Sequence, residues 1–232
     1  IDWAKRRREL DDVLAKNRDL GLSGYDCIVP VSGGKDSHFQ VLTALELGLR
    51  PLCVTATTDH LTDLGRRNIE NLKRQGVDYV EITPNPLVRR RLNRLALEEV
   101  GDISWPEHVL IFTIPVRVAV EKRIPLILWG ENSQNEYGGP AAAQKRNTLT
   151  RRWLEEFGGL LGLRVADLPD HGFDERDLKL YTYPSAEELE VAGVTGLFLG
   201  HYLPWDGYHN ALVAQAHGFE TYSHTVEGSL VN

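Results

Sequence analysis

The feature that most narrows what this chain can fold into is a strand–loop–helix unit near its amino end. Residues 25–31 form a short apolar run, Ser32-Gly33-Gly34-Lys35-Asp36-Ser37 is polar and glycine-rich, and residues 37–47 carry apolar side chains at helical spacing up to Gly48. A short apolar run entering a glycine turn and then a helix is how a buried parallel strand and its crossover read. Pro30 brings no ladder donor, so it belongs near the strand's end. The alternation continues: 51–57 reads as a strand, 63–75 as a helix, 78–82 as a strand and 86–100 as a helix. Residues 108–122 read as a further helix that Pro115 is expected to kink or shorten, and 125–129 as a strand ending at Gly130-Glu131-Asn132. An amphipathic helix at 3–19, with Leu10, Val13 and Leu14 on one face, leads in. The pattern predicts an α/β fold, a doubly wound and mostly parallel sheet with helices on both faces and ligands at the strands' carboxyl ends.

At 232 residues the chain is long for one domain and short for two. Residues 1–137 read as a nucleotide-binding domain with its amino-terminal helix, and 138–232 as a substrate- or partner-side elaboration continuing the same domain. Within the latter, 148–157 is expected to be helical, 164–188 is polar and irregular, and 194–199 is a strand candidate leading to Gly200 and on to Trp205-Asp206.

A net charge of −7 argues against non-specific nucleic-acid binding, which needs a basic surface to displace counterions. The cluster Arg89, Arg90, Arg91 and Arg94 reads as a solvated helix face rather than a nucleic-acid patch. No apolar run approaches the roughly 20 residues that span a bilayer, and no secretory signal precedes the first helix, so the expectation is a cytoplasmic protein without a membrane partner. Cys27 and Cys53 fall in predicted core strands and read as small buried hydrophobes. There is no Met in the chain, even at position 1, from which we expect that it is not the complete native product and lacks both termini and some internal residues.

The loop at 32–37 has a chemistry of its own. Two successive glycines let amide N–H groups converge on one concavity, and the helix that follows adds the positive end of its dipole. Ser32 and Ser37 add hydroxyls and Lys35 a cation. Asp36 is an acid placed where a phosphate-bound Mg²⁺ needs an oxygen ligand. The span is shorter than the GxxxxGK[ST] loop. After the second strand, Thr55 and Thr57 sit beside it, as candidate nucleotide contacts or as an ordinary polar strand end. After the last of these strands, Gly130 permits close backbone approach, and Glu131 and Glu136 offer carboxylates for a metal or a reacting nitrogen. Trp205 and Asp206 are candidates for stacking on a sugar or base, with core packing an equal reading for the Trp. His108 reads as structural.

The 32–37 loop resembles the SGGxDS loop of the PP-loop ATP pyrophosphatase superfamily, whose members cleave ATP to AMP and pyrophosphate. With "GLRPL" before the second strand, "GD..WPEH" at 101–108, "WGEN.QNEYGG" at 129–139 and "LGHYLPWD" at 199–206, the chain is similar over nearly its whole length to the N-acetyl sugar amidotransferase family of bacterial surface-sugar synthesis. The resemblance implies adenylation of the N-acetyl amide of a nucleotide-activated sugar, then replacement of its oxygen by ammonia-derived nitrogen to give an acetamidino group. The cofactors implied are ATP and Mg²⁺, and the partners are glutaminase and cyclase-like subunits that deliver ammonia. Carried onto this sequence, Lys35, Asp36, Glu131 and Glu136 are the catalytic candidates, with Asp36 and Glu131 on the metal. Ser32 to Ser37, Thr55, Thr57 and Gly130 hold the nucleotide, and Asn132, Tyr137, Trp205 and Asp206 the substrate. The family's cysteine-rich amino-terminal segment is missing here. Two rivals stand beside this reading: a thiolating tRNA-modifying enzyme, disfavoured by acidity and buried cysteines, and a non-catalytic adenine-nucleotide-binding subunit, disfavoured by Asp36 and the carboxylates of 130–136.

Overall fold

The computed structural model describes residues 1–18, 23–57, 61–130 and 160–223. Through Trp129 the elements are α1 (Trp3–Asn17), β1 (Cys27–Pro30), α2 (Lys35–Glu46), β2 (Pro51–Ala56), α3 (Asp63–Arg74), β3 (Asp78–Ile82), α4 (Pro86–Val100), α5 (Trp105–Lys122) and β4 (Leu126–Trp129). Beyond residue 160 come a 3₁₀ segment (Val165–His171), α6 (Glu175–Leu178), α7 (Ala186–Ala192), β5 (Thr195–Phe198), α8 (Leu199–Tyr202) and α9 (Gly207–Ala216). The strands form one sheet in the order β3-β2-β1-β4-β5, with every pairing parallel. The chain therefore winds outward from β1 to β3, then returns across β1 to start the other half with β4.

Strand alternation sends side chains to both faces, and both are covered. Cys27, Val29, Cys53, Leu126, Leu128 and Leu197 pack with Leu10 and Leu14 of α1, Val41 and Ala44 of α2 and Leu72 of α3. Ile28, Leu52, Val54, Ile127 and Phe198 pack on the other side with Leu92 and Ala96 of α4 and Leu110 and Ile114 of α5. Burial pushes the Cys53 thiol up to about 12, and the Cys27 thiol is raised as well.

Pro30 is the last residue of β1, as its missing donor requires. The Val31 amide donates to Val54 O at 2.9 Å. Alternation therefore turns position 30 toward β4, where the register Ile28↔Ile127 sets Leu128 O as the acceptor that Pro30 cannot reach. The Gln40 side chain of α2 donates to Leu128 O instead, at 3.3 Å.

Three expectations need correction. First, α5 begins at Trp105 and runs through Pro115 without a break. Pro115 forfeits one helix bond, and the helix is held by burial of eleven residues, Pro115 among them. Second, the stretch 164–188 is not irregular throughout. Leu168, Phe173, Leu178 and Tyr181 are buried anchors with short helical turns between them, at spacings too uneven to read as periodicity. Third, α9 was not expected, because Gly207 opens it and its apolar positions make no clear stripe. The arginine cluster of α4 is solvated only in part: Arg94 is largely exposed, whereas the Arg89 side chain is 22% exposed beside Glu107 and Arg91 packs across onto the 172–173 turn. Arg91 donates to Gly172 O at 2.9 Å and lies over Phe173, and Arg94 bonds Glu98 at 2.8 Å. Among the described residues no helix is long and apolar enough to cross a membrane.

Asp26, 3% exposed at the entry to β1, accepts from Arg50 N at 2.8 Å, Nε at 3.1 Å and Nη2 at 2.9 Å. Asp26→Ala removes the shared acceptor while half-exposed Arg50 turns to water. Urea unfolding should register a loss of about 2–3 kcal/mol, and a change under about 0.5 kcal/mol would contradict this anchoring role.

Candidate functional site

The site is built outward from the end of β1. Gly33 has φ +85, and a Cβ there would stand 2.8 Å from Ile69 Cγ1 of α3, so both backbone and space call for glycine. Ser32 N donates to Ser37 Oγ at 2.9 Å, which closes the loop on itself. Gly34 is the N-cap of α2 and supplies no side-chain cap. The amides of Lys35, Asp36 and Ser37 consequently donate to no described group. They are the orphan donors of a helix amino end, the kind of group that receives an anion.

Lys35 Nζ bonds Asp36 Oδ2 at 2.5 Å, and Asp36 Oδ1 accepts from Asn210 Nδ2 at 2.8 Å. Asn210 is fully buried on α9, which packs along α2. His38, also fully buried, places Nδ1 3.0 Å from Gly34 O and Nε2 3.2 Å from Asn71 Nδ2. Burial holds its pKa below the ordinary 6.5. In the neutral tautomer Nδ1–H donates to Gly34 O and Nε2 accepts from Asn71; the charged ring keeps the first contact and loses the second, so the Asn71 bond needs the uncharged ring. Asn71 Nδ2 also donates to His217 O at 2.8 Å, tying the tail of α9 to α3.

On the β2 side, the expected nucleotide contact Thr55 is 6% exposed and its hydroxyl donates to Val31 O. That bond clamps β2 to the end of β1 and leaves Thr55 no role at the surface. Thr57 stands at the strand edge and donates to Glu81 Oε1 at 2.8 Å. Arg66 donates to the same carboxylate at 3.0 and 3.3 Å and, as the largest cause, holds the Glu81 pKa below its usual range.

On the β4 side, a Cβ on Gly130 would stand 2.9 Å from Trp205 Cη2 and 3.1 Å from Gln40 Cδ, and Gly130 O accepts from Gly200 N at 3.1 Å. The close approach expected of Gly130 is therefore to Trp205. Two substrate candidates are occupied by the fold itself: Trp205 packs edge-on to Phe39 with ring centroids 5.4 Å apart, and Asp206 caps α9 through His209 N at 2.7 Å. Glu131, Asn132, Glu136 and Tyr137 lie outside the described residues. His108, read as structural, pairs with Asp102 at 3.4 Å.

The parallel sheet thus brings Ser32–Ser37, Thr57 and Gly130 to one edge, astride the reversal of strand order between β1 and β4, where open α/β sheets bind ligands. A nucleotide phosphate fits the three open amides with Lys35 beside them. A phosphate-bound Mg²⁺ fits Asp36, since such ions use one or two carboxylates and keep phosphate and water for the rest. Among the described residues no group of three or more His, Cys, Asp or Glu could hold a metal ion unaided. Sequence reasoning missed Asn210, His38 and the Glu81–Arg66 pair. Of these only His38 carried a local signal, four residues after Gly34 on the helix that the loop opens.

No family model matches the sequence, and no curated protein matches it. Solved structures with a related course include an NH3-dependent NAD synthetase from Campylobacter jejuni, 13% identical with TM-score 0.42, over 83% of this chain and 92% of that one. An NMN synthetase from Francisella tularensis is 13% identical with TM-score 0.43, over 91% and 96%. A predicted subunit of a tRNA methyltransferase from Methanocaldococcus jannaschii is 16% identical with TM-score 0.35, over 78% and 93%. Likenesses this loose say nothing about chemistry, and the fold assignment stands on the strand order and pairing above.

Because His38 binds its proton less readily folded than unfolded, its contribution is complete above pH 6.5 and is lost as pH falls below that value. Urea titrations at pH 7 and pH 5 should give a larger stability drop in the parent than in His38→Gln. Equal drops would remove His38 from the loop's pH response.

Proposed function

We propose that this chain binds ATP with its phosphates on the amino end of α2 and cleaves it to AMP and pyrophosphate. The observation that carries the reading is the set of open amides at Lys35, Asp36 and Ser37, beside the Lys35 ammonium and the Asp36 carboxylate. In the finer form, resting on the sequence resemblance, the α-phosphorus is taken by the amide oxygen of an N-acetyl sugar carried on a nucleotide. The bond from that phosphorus to pyrophosphate breaks, ammonia adds to the activated carbon, and AMP leaves with the former amide oxygen, giving an acetamidino group.

Each residue then has a task. The loop amides hold phosphate oxygens, and Lys35 leaves Asp36 to meet charge growing on the departing pyrophosphate. Asn210 keeps Asp36 oriented from Oδ1, so that Oδ2 faces a cation. Mg²⁺ bound there would neutralise phosphate charge. Glu131 or Glu136 is proposed to take a proton from the incoming nitrogen, and glutaminase and cyclase-like partners are proposed to supply the ammonia.

A thiolating enzyme is the weaker reading on a specific ground. Both of the chain's cysteines are buried with raised thiol pKa, which is the wrong setting for a persulfide nucleophile.

The test is incubation with ATP, Mg²⁺, an ammonium salt and a panel of UDP- and CMP-linked N-acetyl sugars, with nucleotide products quantified. AMP and pyrophosphate should form with one sugar, and Lys35→Ala should lower the rate by about 10²-fold or more. ADP as the product would overturn the proposal.

A further inference from the structure

A cavity of about 720 Å³ lies between α5 and the 160–188 segment, and no residue of the phosphate loop lines it. Its size is that of a small-molecule site. The wall that α5 presents changes character along the helix. Val109, Thr113 and Arg117 all line the cavity, and a spacing of four puts them in one row on one face. Over roughly 12 Å that row runs from apolar to hydroxyl to cation. The facing wall follows the same gradient. Trp105 Nε1 donates to Leu160 O at 3.1 Å, which seats Leu160 at the Val109 end. At the other end Arg117 Nη1 donates to Thr182 O at 2.7 Å, and Glu188 stands on α7, which packs against α5.

Thr113 is 2% exposed, and its hydroxyl bonds no described residue. Unlike the Tyr181 hydroxyl it is not sealed off, so what access it has is to the cavity that it lines. A buried hydroxyl left unmade costs free energy that an acceptor on a ligand recovers. One turn further on, the Arg117 guanidinium is steadied by Thr182 O and keeps its other N–H groups for a ligand. Glu188 Oε2 accepts from Ser185 N at 2.7 Å, while Oε1 takes no described hydrogen bond. Ser185 above all, with Arg117 contributing, holds the Glu188 carboxyl below its usual range, so it stays charged. The other charges of the wall, Arg164, Glu175 and Lys179, are exposed residues of its lip and include both signs.

A cation alone at the polar end calls for a simple anion. A cation and a carboxylate at the same end, with an apolar slot leading away from them, call for a zwitterion with an apolar tail. We propose that this cavity binds a free α-amino acid with a large apolar side chain. Its carboxylate lies on the Thr113 hydroxyl and the Arg117 guanidinium, its ammonium on Glu188, and its side chain against Val109 and Leu160. The site is separate from the phosphate loop and does not rest on the function proposed above.

Calorimetric titration of the whole chain with L-leucine, L-phenylalanine and L-tryptophan tests it, each beside its analogue without the amine: isocaproate, hydrocinnamate and indolepropionate. At least one amino acid should bind, and its analogue should bind about tenfold more weakly. Thr113→Val and Arg117→Met should each weaken the amino acid by about tenfold. Thr113→Val deletes a hydroxyl without a partner in the protein, so its melting temperature should match the parent's. Glu188→Gln keeps an acceptor for the Ser185 amide; it should weaken the amino acid and leave the analogue unchanged. An analogue that binds as tightly as its amino acid would make this a plain anion site and overturn the proposal. Binding that none of the three variants weakens would overturn it as well, as would failure of all three amino acids to bind at millimolar concentration.

Discussion

β1 bonds to β2 on one side and to β4 on the other, and the chain passes from one half of the sheet to the other across it. Both faces of the sheet are sealed by helices, so polar chemistry is confined to the strand ends. The amino end of α2 sits over the reversal because β1 is central and its crossover is short. Everything assigned to the site follows from that seat: open amides on α2, Thr57 beyond β2, and Gly130 beyond β4.

The loop itself is held from outside its own sequence. Asn210 reaches Asp36 from α9, and Asn71 touches both His38 and the carbonyl of His217. Asn68 bonds Glu220 in both directions at 2.9 Å. The C-terminal part of the described chain thus braces the first turn of α2 against α3, and the geometry of residues 32–37 depends on Asn210, 174 positions beyond Asp36.

That dependence explains which parts were legible beforehand. β1 to β4 were readable because doubly buried strands are written as short apolar runs, and the loop because serine, glycine, lysine and aspartate at those six positions have few other uses. The roles of Thr55, Trp205 and Asp206 were not readable. Thr55 faces into the sheet by alternation, yet its neighbours say only that a strand ends nearby. Trp205 fills the space that Gly130 and Gly200 leave open, a fit between distant residues that no local pattern encodes. Asp206 caps a helix whose own apolar pattern is too faint to announce it. Asn210 was hidden for the same reason: one polar residue in a mostly apolar segment looks like a surface position until the partner across the interface is known.

The substitution of Gln40 for the rung that Pro30 cannot make has a mechanical meaning. A main-chain rung is rigid because its peptide is fixed in the strand, whereas a glutamine amide can be withdrawn by rotation about its own side-chain bonds. The seam between β1 and β4 is therefore latched rather than welded at its carboxyl end. The latch belongs to α2, the same helix whose first turn presents the open amides. One rotatable side chain thus joins the helix that opens with those amides to the carboxyl end of β4.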